Sequence, residues 1–110
     1  MLNQIILVGR LTRDITVNKG ENGKVATISL AIPRSFKNSD GVYDTDFIDC
    51  VAFDNIAENT SEYCNKGDIV GVKGRIQSRV VEKEDNKEYK TEIICEKITF
   101  LSSRPKEEEE

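Results

Sequence analysis

Phe47, Asp49, Val51 and Phe53 occupy every second position of one β-rich run, and Ile48, Cys50 and Ala52 occupy the positions between them. Successive strand side chains point to opposite faces. The small apolar set suits a tight barrel interior, which leaves two phenylalanines outward with an aspartate between them. Outward aromatics on a sheet are what unpaired bases stack on. The same pattern equally fits two rings packed beneath a helix, a loop or a second subunit. A second run places Lys73, Arg75, Gln77, Arg79 and Val81 on one face and Val72, Gly74, Ile76, Ser78 and Val80 on the other. Cations and amides at period two form a track along which a phosphate chain could lie with counterion release. An ordinary solvated polar face gives the same alternation, but no acidic residue falls between Asp68 and Glu82. Arg34 and Lys37 flank Phe36, a grouping that serves stacking and phosphate contact together or simply a hairpin with one buried anchor. Tyr89 could add a ring, or pack as a half-exposed residue.

Other chemistries have little support. The chain of 110 residues contains no histidine, so the commonest general base and metal ligand are missing. Cys50, Cys64 and Cys95 are widely spaced, with neither a disulfide framework nor a metal-binding pattern, and read as core or helix-face residues. Asp44 and Asp46 have no acid–base partner pattern and read as solvated hairpin residues. The expectation is a protein that is not an enzyme and needs no cofactor or metal. Net charge is −4, but the last four residues are glutamates, and without them 16 acidic residues face 16 basic ones. The distribution of charge over the folded surface then matters more than its sum. No apolar run reaches the ~20 residues that cross a bilayer, and the start lacks a signal-peptide pattern. A cytoplasmic protein is expected.

The elements that must position these residues are short strands between turn signals. Gln4 to Leu11 is β-rich, and Gly9 suggests a bulge or strong bend. Asn18 to Lys24 is a turn cluster. Val25 to Ile32 alternates, with Pro33 ending regular pairing or placing it at an edge. Asn38-Ser39-Asp40-Gly41 is a hairpin turn before Tyr43 to Phe53. From Asp54 to Cys64 the period becomes helical, Asn55 and Glu58 resemble a capping box, and Gly67 sits where a helix-ending glycine belongs. Strands resume at Ile69 to Val81 and at Tyr89 to Leu101, with a split in the latter suggested near Cys95-Glu96 and a polar loop Glu84 to Lys87 between. Gly71 and Gly74 permit barrel curvature or the close approach of a subunit, with curvature the favoured reading. The expected fold is mainly β, a five-stranded OB-fold barrel with one helix between the third and fourth strands, over residues 1–103. Residues 104–110 read as a short acidic disordered tail. OB-folds bind oligonucleotides or oligosaccharides on one sheet face and its loops.

Several segments, in order and at their usual spacing, resemble the bacterial single-stranded DNA-binding proteins. They are Ile6-Leu7-Val8-Gly9-Arg10-Leu11-Thr12, Asp46-Phe47-Ile48-Asp49-Cys50-Val51, Ala57-Glu58-Asn59, Lys66-Gly67, Gly74-Arg75-Ile76-Gln77-Ser78-Arg79, Thr91-Glu92-Ile93 and Phe100-Leu101. The resemblance implies an OB-fold homotetramer in the cytoplasm, associated with the nucleoid, that wraps single-stranded DNA during replication, recombination and repair. It places stacking aromatics at Phe36, Phe47 and Phe53, and basic contacts at Arg34, Lys37, Lys73, Arg75 and Arg79. Val81 replaces a fourth aromatic, Asp54-Asn55 stands where many members are cationic, and Asp49 puts negative charge between two rings. Weaker or more salt-sensitive binding is therefore expected. Replication and repair proteins are the partners the resemblance implies. The apolar tip that usually recruits them is absent, since the sequence closes on Lys106 and four glutamates. The competing expectation is an OB-fold interaction module of the replication machinery with weak or no DNA binding.

Overall fold

The computed structural model describes residues 1–21 and 23–102. Asn22, within the turn cluster, and the acidic tail at 104–110 lie outside the described residues. Six strands and one helix follow in the order β1 (Ile5–Leu11), β2 (Val17–Gly20), β3 (Gly23–Lys37), β4 (Tyr43–Phe53), α1 (Asp54–Tyr63), β5 (Ile69–Lys83) and β6 (Asn86–Ser102). The sheet order is β1-β5-β6-β4-β3-β2, and β1 also pairs with β3. That last pairing closes a five-stranded barrel and leaves β2 as an extra strand outside it. The helix lies between the third and fourth barrel strands, β4 and β5, as expected of the OB-fold. The strand β2 was hidden because three of its four residues, Asn18, Lys19 and Gly20, fall in the turn cluster and carry little strand propensity, and Val17 alone does not mark a strand. Their pairing with Gly23–Ala26 supplies what propensity does not.

Alternation decides what fills the barrel. Ile28 and Leu30 of β3, Cys50 and Ala52 of β4, and Val70 and Val72 of β5 are fully buried together with Leu11. Cys95 of β6 and Ala57 of α1 complete the same cluster. The helix closes one end of the barrel with Ala57 and Thr60, while Tyr63 is exposed. Its entry is not a capping box. Phe53 is the N-cap residue and no side chain caps the first turn. Glu58 instead pairs with Lys24, and the Lys24 N–H donates to Asp54 Oδ1 at 3.1 Å. Gly67 belongs to the turn after the helix, where the Asp68 N–H donates to the Asn65 carbonyl at 3.0 Å. Its φ of 96° is the left-handed conformation that glycine adopts without steric cost.

Two glycines shape the barrel through close approach. A Cβ at Gly9 would stand 2.8 Å from Ile32 Cγ1 and 2.9 Å from the Ala31 carbonyl oxygen, where β1 closes onto β3. No bulge is needed there. A Cβ at Gly74 would collide with the Ile94 carbonyl, so β5 and β6 cross closely only because this position lacks a side chain. The bulge falls opposite, in β6. Lys73 pairs with Lys97 and Gly74 with Cys95, leaving Glu96 unopposed, at the split suggested by the sequence. Beyond the barrel, β5 and β6 continue as a two-stranded arm to Lys83 and Asn86. The polar loop is thus a two-residue turn, Glu84-Asp85.

Candidate nucleic-acid interface

The strand β4 runs between β3 and β6, antiparallel to the first and parallel to the second. Cys50 and Ala52 are buried and Ile48 is half-buried, so the odd-numbered set faces outward. Phe47 is 74% exposed and Phe53 47%. Residues directly opposite one another share a face. Ala31, Ser29, Thr27 and Val25 of β3 stand opposite Phe47, Asp49, Val51 and Phe53, and Ile94 of β6 stands beside Val51. Ile94 is in turn opposite Arg75, Glu92 opposite Gln77, and Lys90 opposite Arg79. The two alternating rows therefore lie on one continuous outer surface, with rings on β4 and cations on β5.

The cations differ in what they hold. Lys73 has no carboxylate within ion-pair reach among the described residues. Arg75 donates to Gln77 Oε1 at 2.7 Å and lies 4.0 Å from Glu96. Arg79 lies 3.5 Å from Glu92. The row has no acid of its own, and β6 supplies two. Lys37 stands 5.7 Å above the Tyr43 ring. Tyr43 belongs to the same odd-numbered set as Phe47 and is exposed; extending the alternation two residues before Thr45 would have found it. Phe36 is 63% exposed, in the stretch between Pro33 and Lys37 where the β3–β4 register shifts.

Two predicted site residues stand apart from this surface. Arg34 is clamped by Asp46, through contacts of 2.9–3.2 Å, and approaches Asp44 at 3.8 Å. Both carboxylates belong to the even-numbered side of β4, opposite Phe47. The hydrogen bond to Asp46 and its negative charge raise the Arg34 pKa above the ordinary guanidinium value. The same hydrogen bond holds the Asp46 carboxyl below its usual range. Tyr89 is 74% exposed, but it pairs with Val80, on the face that continues the barrel interior along the arm. It does not join Phe47 and Phe53. Val81, opposite Glu88, does lie on the outer side.

Cys50, Cys64 and Cys95 are free and buried. The Cys95 thiol is pushed up by its hydrogen bond to Cys50 and by burial, and burial raises Cys64 as well. Thiols raised in this way are poor nucleophiles and poor ligands; Cys50, lowered by its hydrogen bond with Cys95, is fully buried. No group of three or more metal-binding side chains exists among the described residues.

Fold and surface define the class, a closed OB barrel that presents a face of rings and cations. The single-strand binding protein family matches residues 2–101, and the chain belongs to that family. It is 43% identical over 109 residues to "Single-stranded DNA-binding protein B" of Bacillus subtilis, covering 97% of this chain and 96% of that one. It is 45% identical over 106 residues to a Bacillus cereus single-stranded DNA-binding protein, covering 94% of this chain but 62% of that longer protein. Among solved structures, a deletion mutant of the single-stranded DNA-binding protein from Thermus aquaticus superposes with a TM-score of 0.77 at 25% identity, covering 94% of this chain and 52% of that one.

Proposed function

We infer that this chain binds single-stranded DNA with little sequence preference and serves DNA replication, recombination and repair as a binder, not an enzyme. The observation that carries the reading is the outward placement of Phe47 and Phe53 on the surface that also bears Lys73, Arg75 and Arg79. Bases stack on exposed rings whatever their identity, and a cationic row tracks the backbone. Membership of the single-strand binding family supports the same conclusion. Phe36, Phe47 and Phe53, joined by Tyr43, are the stacking platforms of this reading, and Lys37, Lys73, Arg75 and Arg79 its phosphate contacts. Arg34 serves by holding the β3–β4 hairpin through Asp44 and Asp46. Because Glu92 and Glu96 already oppose two of the cations, binding is weaker at physiological salt than an unopposed row would give.

Assembly into a homotetramer fits the β1 flank of the barrel, where Ile6 stands directly opposite Lys73. Ile5–Gly9 of β1 pairs with β5 and meets β3 only at Arg10 and Leu11, which leaves a strand edge open. Beside it Ile6, Val8 and Leu101 are exposed. Open edges and apolar patches of this kind are ordinarily covered by another chain. The site of action on this reading is the cytoplasm, at the nucleoid. A dT length series titrated by anisotropy, with mass measured in parallel, tests both parts. Saturable binding to dT, much weaker binding to duplex and a four-chain mass are expected. Negligible affinity for every dT length, with a stable complex formed on a replication protein, would replace this reading by the interaction-module one. A monomer at micromolar concentration would overturn the assembly.

A further inference from the structure

Asp49 is out of place on a surface meant for a polyanion. It sits between Phe47 and Phe53, exposed, where a carboxylate repels every phosphate that passes. Glu92 and Glu96, elsewhere on this surface, are each matched by an arginine. Asp49 has no cation within ion-pair distance among the described residues. What it has is a neutral anchor. Ser29, directly opposite on β3 and 5% exposed, donates its hydroxyl to Asp49 Oδ1 at 2.7 Å. One carboxylate oxygen is thus fixed by a buried side chain while the group as a whole stays open to solvent. Neutralisation is not its role: its carboxylate satisfies the buried Ser29 hydroxyl with one oxygen.

Asp49 is the next residue after Phe47 on the same outward face of β4, so the edge of a base stacked over that ring comes within reach of its carboxylate. We propose that Asp49 is a specificity-determining residue that accepts a hydrogen bond from the exocyclic amino group of a stacked base. It therefore favours cytosine, adenine and guanine over thymine. Carboxylates accept from cytosine N4 in nucleic-acid readout. Thymine offers a single ring N–H flanked by two carbonyl oxygens, which a carboxylate repels. The inference rests on the single-strand-binding reading above and gives it a bias that the rings alone do not produce.

The test compares dC and dT oligomers of equal length at one salt concentration, with the unmodified chain and with Asp49→Ala and Ser29→Ala. Dividing the two affinities within each variant cancels the phosphate repulsion, which is common to both oligomers. A charge-assisted hydrogen bond predicts a dC-to-dT affinity ratio about tenfold higher in the unmodified chain than in Asp49→Ala. In Ser29→Ala, where the carboxylate loses its anchor, the ratio falls between those two. Equal ratios in the unmodified chain and Asp49→Ala, with both oligomers bound, would overturn the proposal and leave single-strand binding intact. Failure of the unmodified chain to bind either oligomer would overturn both.

Discussion

Truncating Phe47 to alanine separates binding from folding more cleanly than any other change on the outer surface. The ring is 74% exposed, so its loss removes little buried area, and the folded chain should lose no more than about 0.5 kcal/mol, as at surface positions generally. If a base stacks on it, the loss in binding is ~1–3 kcal/mol per base, roughly a fivefold to 150-fold weaker Kd. Phe53 is less suitable because it is half covered, opposite Val25 at the entry to the helix. Tyr89 is the matched control, since it is equally exposed but on the other side of the β5–β6 arm. The chain contains no tryptophan, so the assay is anisotropy of a labelled dT oligomer at fixed moderate salt, with urea unfolding run alongside. Phe47→Ala should weaken binding at unchanged stability, and Tyr89→Ala should leave both unchanged. An unaltered Kd in Phe47→Ala together with weakened binding in Tyr89→Ala would refute the face assignment.

Three further outcomes follow from the geometry. Glu92→Gln releases Arg79 from its 3.5 Å partner; dT binding should tighten, and the slope of log K against log salt should steepen by about 0.7 for one added phosphate contact. Gly74→Ala forces a methyl against the Ile94 carbonyl and should lower stability by ~1–3 kcal/mol in urea unfolding, whereas Gly71→Ala, whose Cβ meets Leu101 Cδ1 at an ordinary 3.6 Å, should be near neutral. Asp46 is held low by Arg34, so its carboxylate should titrate by NMR below the usual range, and Arg34→Ala should bring the midpoint back up. Because the folded pKa is depressed, whatever stability this pair contributes is present above the unfolded carboxylate pKa and is lost as pH falls through the lower, folded one.

The barrel and most of its outer surface were legible because a half-buried strand writes its faces into alternate residues. The strand β4 does this without interruption, so Phe47 and Phe53 could be placed from residue types alone. So could the cationic row of β5, since β5 carries no extra residue. What alternation cannot supply is the neighbour across the strand. The glutamates opposing Arg75 and Arg79 come from β6, and their positions depend on the bulge at Glu96. The side taken by Tyr89 depends on the length of one turn: a four-residue loop leaves it undetermined, while the two-residue turn pairs it with Val80. Arg34 looked like a free cation beside an aromatic because its partners, Asp44 and Asp46, lie beyond the hairpin, and only the pairing of β3 with β4, Ile32 with Asp46 and Pro33 with Thr45, brings them to it. The cap at Asn55 failed for a related reason. Its would-be partner Glu58 pairs with Lys24 on a strand some thirty residues earlier, and a tertiary contact displaced a local one.

The central claim is that single-stranded DNA lies across the β3–β4–β6–β5 surface, on the rings of β4 and along the cations of β5. Photo-crosslinking to an oligomer carrying 5-iododeoxyuridine, with adducts located by peptide mass spectrometry, tests it most directly. Adducts at Phe47 and Phe53, and none at Tyr89, are the predicted result. Adducts confined to Tyr89 and the inner face of the arm, with Phe47 and Phe53 unmodified, would contradict it.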